Sequence, residues 1–122
     1  MTYETIILDI TARYPDLDIA GLDKFSRADG NGDWLQYEGA FFASVDYLRG
    51  MKRTVAYPRH APSSYGLKHD VERLTNAKGA RVYVPNGIMI AALIHAGVAF
   101  KRDGINATAR LSSRSRYREV AA

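Results

Sequence analysis

The sequence predicts an α+β fold, and three observations carry that prediction. Residues 82–100, VYVPNGIMIAALIHAGVAF, are the most apolar and most clearly punctuated stretch of the 122-residue chain; they read as strand, turn, buried helix and the first arm of a hairpin. The first fifty residues repeat apolar side chains at helical spacing in three places. Asp103-Gly104 then falls between two short alternating runs, as in a tight β-hairpin. The predicted order is three N-terminal helices followed by helix, strand, helix and β-hairpin. That second half is winged-helix-like in outline, with Arg81 to Val84 placed to complete a small three-stranded antiparallel sheet.

Along the chain, Tyr3, Ile6, Ile7, Ile10 and Tyr14 keep helical spacing behind Thr2, a capping residue, and Pro15 ends the segment. Asp18 has the form of an N-cap for a short second helix with Ile19, Leu22 and Phe25 on one side. The loop Asp29-Gly-Asn-Gly-Asp33 resembles the start of a calcium-binding EF-hand, but Trp34 stands where that loop needs glycine and Ala40 where it needs the bidentate glutamate. It therefore reads as a polar turn. Asp33 with Gln36 forms a capping box for the third helix, whose Trp34, Tyr37, Phe41, Val45 and Leu48 make an aromatic-rich stripe ending at Gly50. Such a stripe reads as core, with a stacking platform as the competing reading.

Residues 51–63 have no period and contain Pro58 and Pro62, so they read as an extended, exposed linker. Ser63 or Ser64 caps a helix reaching about Thr75, with Leu67, Val71 and Leu74 inward and Lys68, Asp70, Glu72 and Arg73 outward. Asn86 is placed to cap the central helix, Ile88, Met89, Ile90, Leu93 and Ile94 cover most of its circumference, and Gly97 supplies a left-handed stop. Val98 and Phe100 alternate with Ala99 and Lys101 in the first hairpin arm, and Ile105, Ala107, Ala109 and Leu111 share one side of the second.

With 47% hydrophobic and 25% charged residues the chain suits one core, so residues 1–111 are expected to form a single domain: an acidic helical half (1–50), the linker (51–63) and a basic α+β half (64–111). Residues 112–122 form a basic tail, expected to be disordered unless an anion orders it. No cysteine is present, which removes disulfides and thiolate chemistry and suits a reducing compartment. Glu4 and the lack of a basic leader region speak against secretion, and the apolar run is shorter than the roughly 18 residues of a membrane span. A cytoplasmic protein with no membrane partner is expected.

The net charge of +4 conceals a split: residues 1–50 hold nine acidic and four basic side chains, residues 51–122 thirteen basic and four acidic. A basic face of this kind suits nucleic acid or another polyanion. Its candidate residues are Lys52, Arg53, Arg59, Lys68, Lys101, Arg102, Arg110, Arg114, Arg116 and Arg118, with Tyr57 interleaved in the linker. Enzymatic chemistry is poorly supplied. His60 lies near Ser63 and Ser64 with no carboxylate placed to orient it, and His69 and Glu72 lack further metal ligands. His95 falls in the apolar helix, where a core histidine bonded to backbone is expected. Neither a phosphate-binding glycine loop nor a dinucleotide fingerprint occurs. No catalytic residue, metal or cofactor is assigned.

The stretches SSYGLKHDVERL and YVPNGIMIAALIHAGV, with the basic hairpin after them, resemble small, largely uncharacterised accessory proteins of proteobacterial phages, plasmids and integrative elements. The resemblance covers Ser63 to Leu111. It departs at the hairpin, where those proteins carry Gly-Pro-Asn and this chain has Gly104-Ile105-Asn106. It implies a mobile-element accessory protein and no catalytic residue. The expected function is therefore non-enzymatic binding of nucleic acid, or of a complex that handles it, through the basic half. The competing expectation is an inhibitor of the anti-defence or anti-CRISPR type that binds a protein target through an acidic surface imitating nucleic acid. Oligomeric state is left open.

Overall fold

In the computed structural model, which describes residues 2–22, 34–80 and 82–115, helix α1 runs over Tyr3–Arg13. The Thr2 hydroxyl accepts the Thr5 N–H at 3.2 Å, and Tyr3, Ile6, Ile7 and Ile10 are buried. Asp18 does not begin a second helix. Its carboxylate takes the N–H of Ile19 at 2.7 Å, a local bond that favours a turn over a helical start. The chain instead forms a small ribbon in which β1 (Leu17–Asp18) pairs antiparallel with β2 (Gly21–Leu22). Phe25, the Asp29–Asp33 loop and the Asp33 cap lie outside the described residues.

A 3₁₀ turn at Leu35–Tyr37 leads into α2, Glu38–Arg49, and most of the aromatic stripe is core: Trp34, Phe41, Val45 and Leu48 are buried, while Tyr37 is half-buried. Tyr3 Oη donates to the Trp34 carbonyl at 2.6 Å, joining α1 to the entry of α2. Gly50 ends α2 with φ −80°, so the stop needs no left-handed residue.

The segment 51–63 is not a free linker. Met51 is buried, Thr54 N–H donates to the Arg110 carbonyl at 3.1 Å, Ala109 N–H to Pro62 at 2.9 Å, and Ser112 N–H to Lys52 at 2.8 Å. Isolated bridges pair Arg53 with Leu111 and Ser63 with Thr108. The segment thus lies antiparallel along the second hairpin arm and satisfies an edge that would otherwise be open. It also holds Ser112, after which a 3₁₀ turn follows at Ser113–Ser115.

Helix α3, Ser64–Ala77, starts as predicted, with Ser63 Oγ accepting the Gly66 N–H at 3.1 Å. Leu67, Val71 and Leu74 face the core, but Lys68 and Asp70 are buried as well, against expectation. Asp70 accepts from Tyr47 Oη at 2.8 Å, and Lys68 Nζ meets Glu72 at 3.3 Å. These buried charges hold their places because each has a partner. Residues 82–84 form no strand: Val84 N–H donates to Glu72 Oε2 at 2.9 Å rather than to a sheet neighbour. The predicted third strand is thereby lost, Arg81 lies outside the described residues, and the edge position goes to the 51–63 segment.

Helix α4, Asn86–His95, is buried from Asn86 through Leu93 and packs against α1, α2, α3, β2 and the hairpin. Pro85, not Asn86, occupies its N-cap. The Asn86 amide instead donates toward the carbonyls of Ala20 and Ile105, both at 3.3 Å, and to Asn106 Oδ1 at 2.9 Å. Gly97, at φ +73°, ends the helix in the predicted left-handed form. His95 is exposed at the rim, its ring 5.5 Å from that of Phe41, rather than bonded within the core. The hairpin pairs β3 (Phe100–Asp103) with β4 (Asn106–Ala109), with Asp103 opposite Asn106. Its two-residue loop is therefore Gly104-Ile105, one position later than predicted, with Gly104 at φ +62°. Ala107, Ala109 and Leu111 are buried, while Ile105 is 46% exposed. The described residues are thus α+β, with four helices and two small antiparallel two-stranded sheets.

A methyl group at Gly87 would stand 1.9 Å from the Asp18 carbonyl oxygen. Gly87→Ala, which in an open helix would gain about 1 kcal/mol, is expected to lower stability by about 2 kcal/mol, read from urea unfolding. Burial, with a smaller contribution from Glu38, pushes the Tyr3 phenol from 10.0 up to about 12. The unfolded chain loses that proton first, so stability declines as pH rises from 10.0 toward about 12. Tyr3→Phe is expected to remove this alkaline decline in unfolding titrations on either side of pH 10.0.

Candidate nucleic-acid interface

The docking of 51–63 on β4 places Tyr57 and Arg59 beside the hairpin. Lys101 Nζ sits 4.8 Å from the centre of the Tyr57 ring, and the Arg110 guanidinium 5.8 Å from it. Both cations are attracted to the one ring, which partly offsets the water they lose there. Tyr57, Arg59, Lys101, Arg102, Asp103 and Thr108 line an open groove of about 460 Å³. Three of those lining side chains are cations and one is a carboxylate, so the groove favours anions. Arg110 is half-buried, and its Nε is enclosed with no hydrogen-bond partner among the described residues. Lys101, Arg102 and Arg59 are exposed.

The remaining predicted contacts scatter. Arg102 Nη1 pairs with Asp16 Oδ2 at 2.7 Å, one of the contacts between the acidic and basic halves. Arg53 turns toward α4 and donates to the Ala96 carbonyl. Lys52 is exposed on the segment beside Ser112, and Arg114 is exposed on the terminal 3₁₀ turn. Lys68 belongs elsewhere: it is 7% exposed and bound to Glu72. Arg116 and Arg118 lie outside the described residues. Of the ten predicted residues, then, Arg59, Lys101 and Arg102 line the groove with Tyr57, Arg102 while paired to Asp16, and Arg110 lies against the Tyr57 ring.

Comparison with family models, curated proteins and solved structures finds no match.

A second concave site was missed from sequence. Tyr37, Tyr65, Lys68, Tyr83, Asn86 and Asn106 line a cleft of about 560 Å³, in which Lys68 Nζ lies 5.0 Å from the Tyr83 ring centre and 5.8 Å from that of Tyr65. The three tyrosines are far apart in sequence, where Tyr37 reads as part of the core stripe of a helix and Tyr83 as part of a strand. Only the burial of Lys68 gathers two of them. Beside the cleft, His69 Nδ1 meets Glu72 Oε1 at 3.1 Å; among the described residues no cluster of three His, Asp or Glu side chains is placed to hold a metal ion. No helix among them is long and apolar enough to cross a membrane.

Proposed function

We propose that the protein is a non-enzymatic nucleic-acid-binding protein, an accessory of a mobile element acting in the cytoplasm, which holds a phosphate backbone in the groove between residues 57–61 and the hairpin. The observation that carries this reading is the seating of Lys101 and Arg110 on Tyr57 beside exposed Arg59. The ring attracts both cationic ends and so orders their side chains, which lowers the cost of fixing them on a ligand. Helix α4 is buried on nearly every side, so the winged-helix mode of inserting a recognition helix has no polar face to use. Contacts fall to the hairpin and its flanking segment, which bind phosphate without reading sequence.

The acidic surface supports mimicry less well. Asp9 pairs with Arg13, Asp46 with Arg49 and Asp16 with Arg102, so several of its carboxylates carry a cation beside them.

Affinity for a random-sequence nucleic acid is expected to fall linearly with salt on a logarithmic scale. Reversing both Arg59 and Lys101 to glutamate should flatten that slope by about 2 and weaken all sequences alike. An unchanged slope in anisotropy titrations would remove this groove from the interface, and absence of binding at low salt would sink the reading. Asp16→Asn releases Arg102 from an exposed pair worth about 0–1 kcal/mol. It is expected to leave stability nearly unchanged and to tighten binding severalfold in the same titration.

A further inference from the structure

We infer that the ligand is single-stranded and that one of its bases stacks in the tyrosine cleft around Lys68 while its phosphates follow the Tyr57 groove. This rests on the reading above and specifies its substrate.

The cleft is built rather than incidental. Lys68 is 7% exposed, yet the rings it approaches, Tyr65 and Tyr83, are 54% and 62% exposed. Its ammonium is anchored from below by Glu72, which also accepts the Val84 N–H at 2.9 Å and meets His69 at 3.1 Å. The cation therefore cannot swing out without breaking a network, and it holds the two tyrosines against its own position. Each tyrosine also meets its aromatic neighbour edge to face: Tyr65 with His69 at 4.5 Å and 83°, Tyr83 with Tyr37 at 6.3 Å and 64°. Among the described residues neither ring is stacked parallel on another aromatic. Large rings fixed in orientation and left open to water are what base stacking uses.

The cleft and the basic groove share one wall. Asn106 lines the first and Thr108 the second. Both are half-buried residues of β4, while Ala107 between them points into the core. Side chains two apart on a strand share a face and lie roughly 7 Å from one another. A chain with phosphates over Lys101 and Thr108 thus passes the mouth of the cleft at Asn106. A paired base is stacked within its duplex and cannot enter; an unpaired base can.

The test compares a labelled oligothymidine, an oligouridine, an abasic phosphodiester of the same length and a matched duplex, by anisotropy at low salt. Both single strands are expected to bind tighter than the abasic chain, by about 5- to 150-fold for one stacked base, and tighter than the duplex. Their ratio separates a DNA from an RNA ligand. Tyr65→Ala with Tyr83→Ala should abolish the advantage over the abasic chain and leave abasic affinity unchanged, whereas the paired Phe substitutions should preserve it. Thermal unfolding of each variant controls for folding, which exposed positions should leave intact. Equal binding of abasic and thymidine chains overturns the stacking and leaves the phosphate groove standing. Full oligothymidine affinity in a folded Ala pair also overturns it and assigns the tyrosines to a different partner, such as a protein surface. Failure of every probe to bind overturns both proposals together.

Discussion

The structure depends on a close approach at the start of α4, where three distant pieces of chain meet at Asn86 and Gly87. The Gly87 N–H donates to the Ile19 carbonyl at 2.9 Å, and the Asp18–Ile19 backbone lies where a side chain at 87 would be. The Asn86 amide reaches the same turn through Ala20 and the hairpin through Ile105 and Asn106. Leu22 N–H adds a bond to the Ile105 carbonyl at 2.8 Å, and Gly21, at φ +135°, lies against that same carbonyl. Only glycine at 21 and 87 permits this convergence. Its result is that the β1–β2 ribbon of the acidic half, the buried helix and the basic hairpin are held in fixed relation.

Both clefts inherit their geometry from that arrangement. With the hairpin pinned at its tip, the outer edge of β4 is left for another segment, and residues 52–54 and 62–63 take it. The intervening chain must then loop out over the hairpin, which brings Tyr57 onto Lys101 and Arg110. At the tip itself, Ile19, Ala20, Ile105 and Asn106 form one side of the tyrosine cleft and α3 forms another. Backbone pairing on one flank and side-chain amide bonding on the other thus shape two concave sites along a single hairpin.

Legibility in the sequence divides by the range of the interactions involved. Caps and stops that act within a few residues were readable: Thr2, Ser63 and Gly97 do what their local chemistry dictates. Periodicity also located the buried stripe of α2 and the core side of α3. Asn86 was misread because asparagine before glycine has a strong local preference for capping, and a tertiary use of its amide leaves no local trace. Lys68 and Asp70 were placed outward because a helical pattern sends charge to solvent; Asp70 instead answers to Tyr47, 23 residues earlier. Residues 82–84 have strand composition, but a single acceptor on Glu72 took the Val84 donor that a sheet would have needed. The candidate site was legible as a list of cations, not as a place. Tyr57 lay in a segment with no period, and its partners became neighbours only through backbone bonds to β4.

Opposite halves held against each other would be expected to neutralise, and Arg102 with Asp16 does so at the junction. That pair is about half exposed on both sides, so its net strength is small and a phosphate can compete for the guanidinium. Elsewhere the acidic half answers its own charge within single helices, at Asp9–Arg13 and Asp46–Arg49, and Asp18 binds backbone. Among the described residues, what joins the halves is mainly apolar packing and backbone bonding around Asn86-Gly87, with Arg102–Asp16 the ion pair between them. An interface that depended on neutralisation would have no positive groove left to offer; this one does.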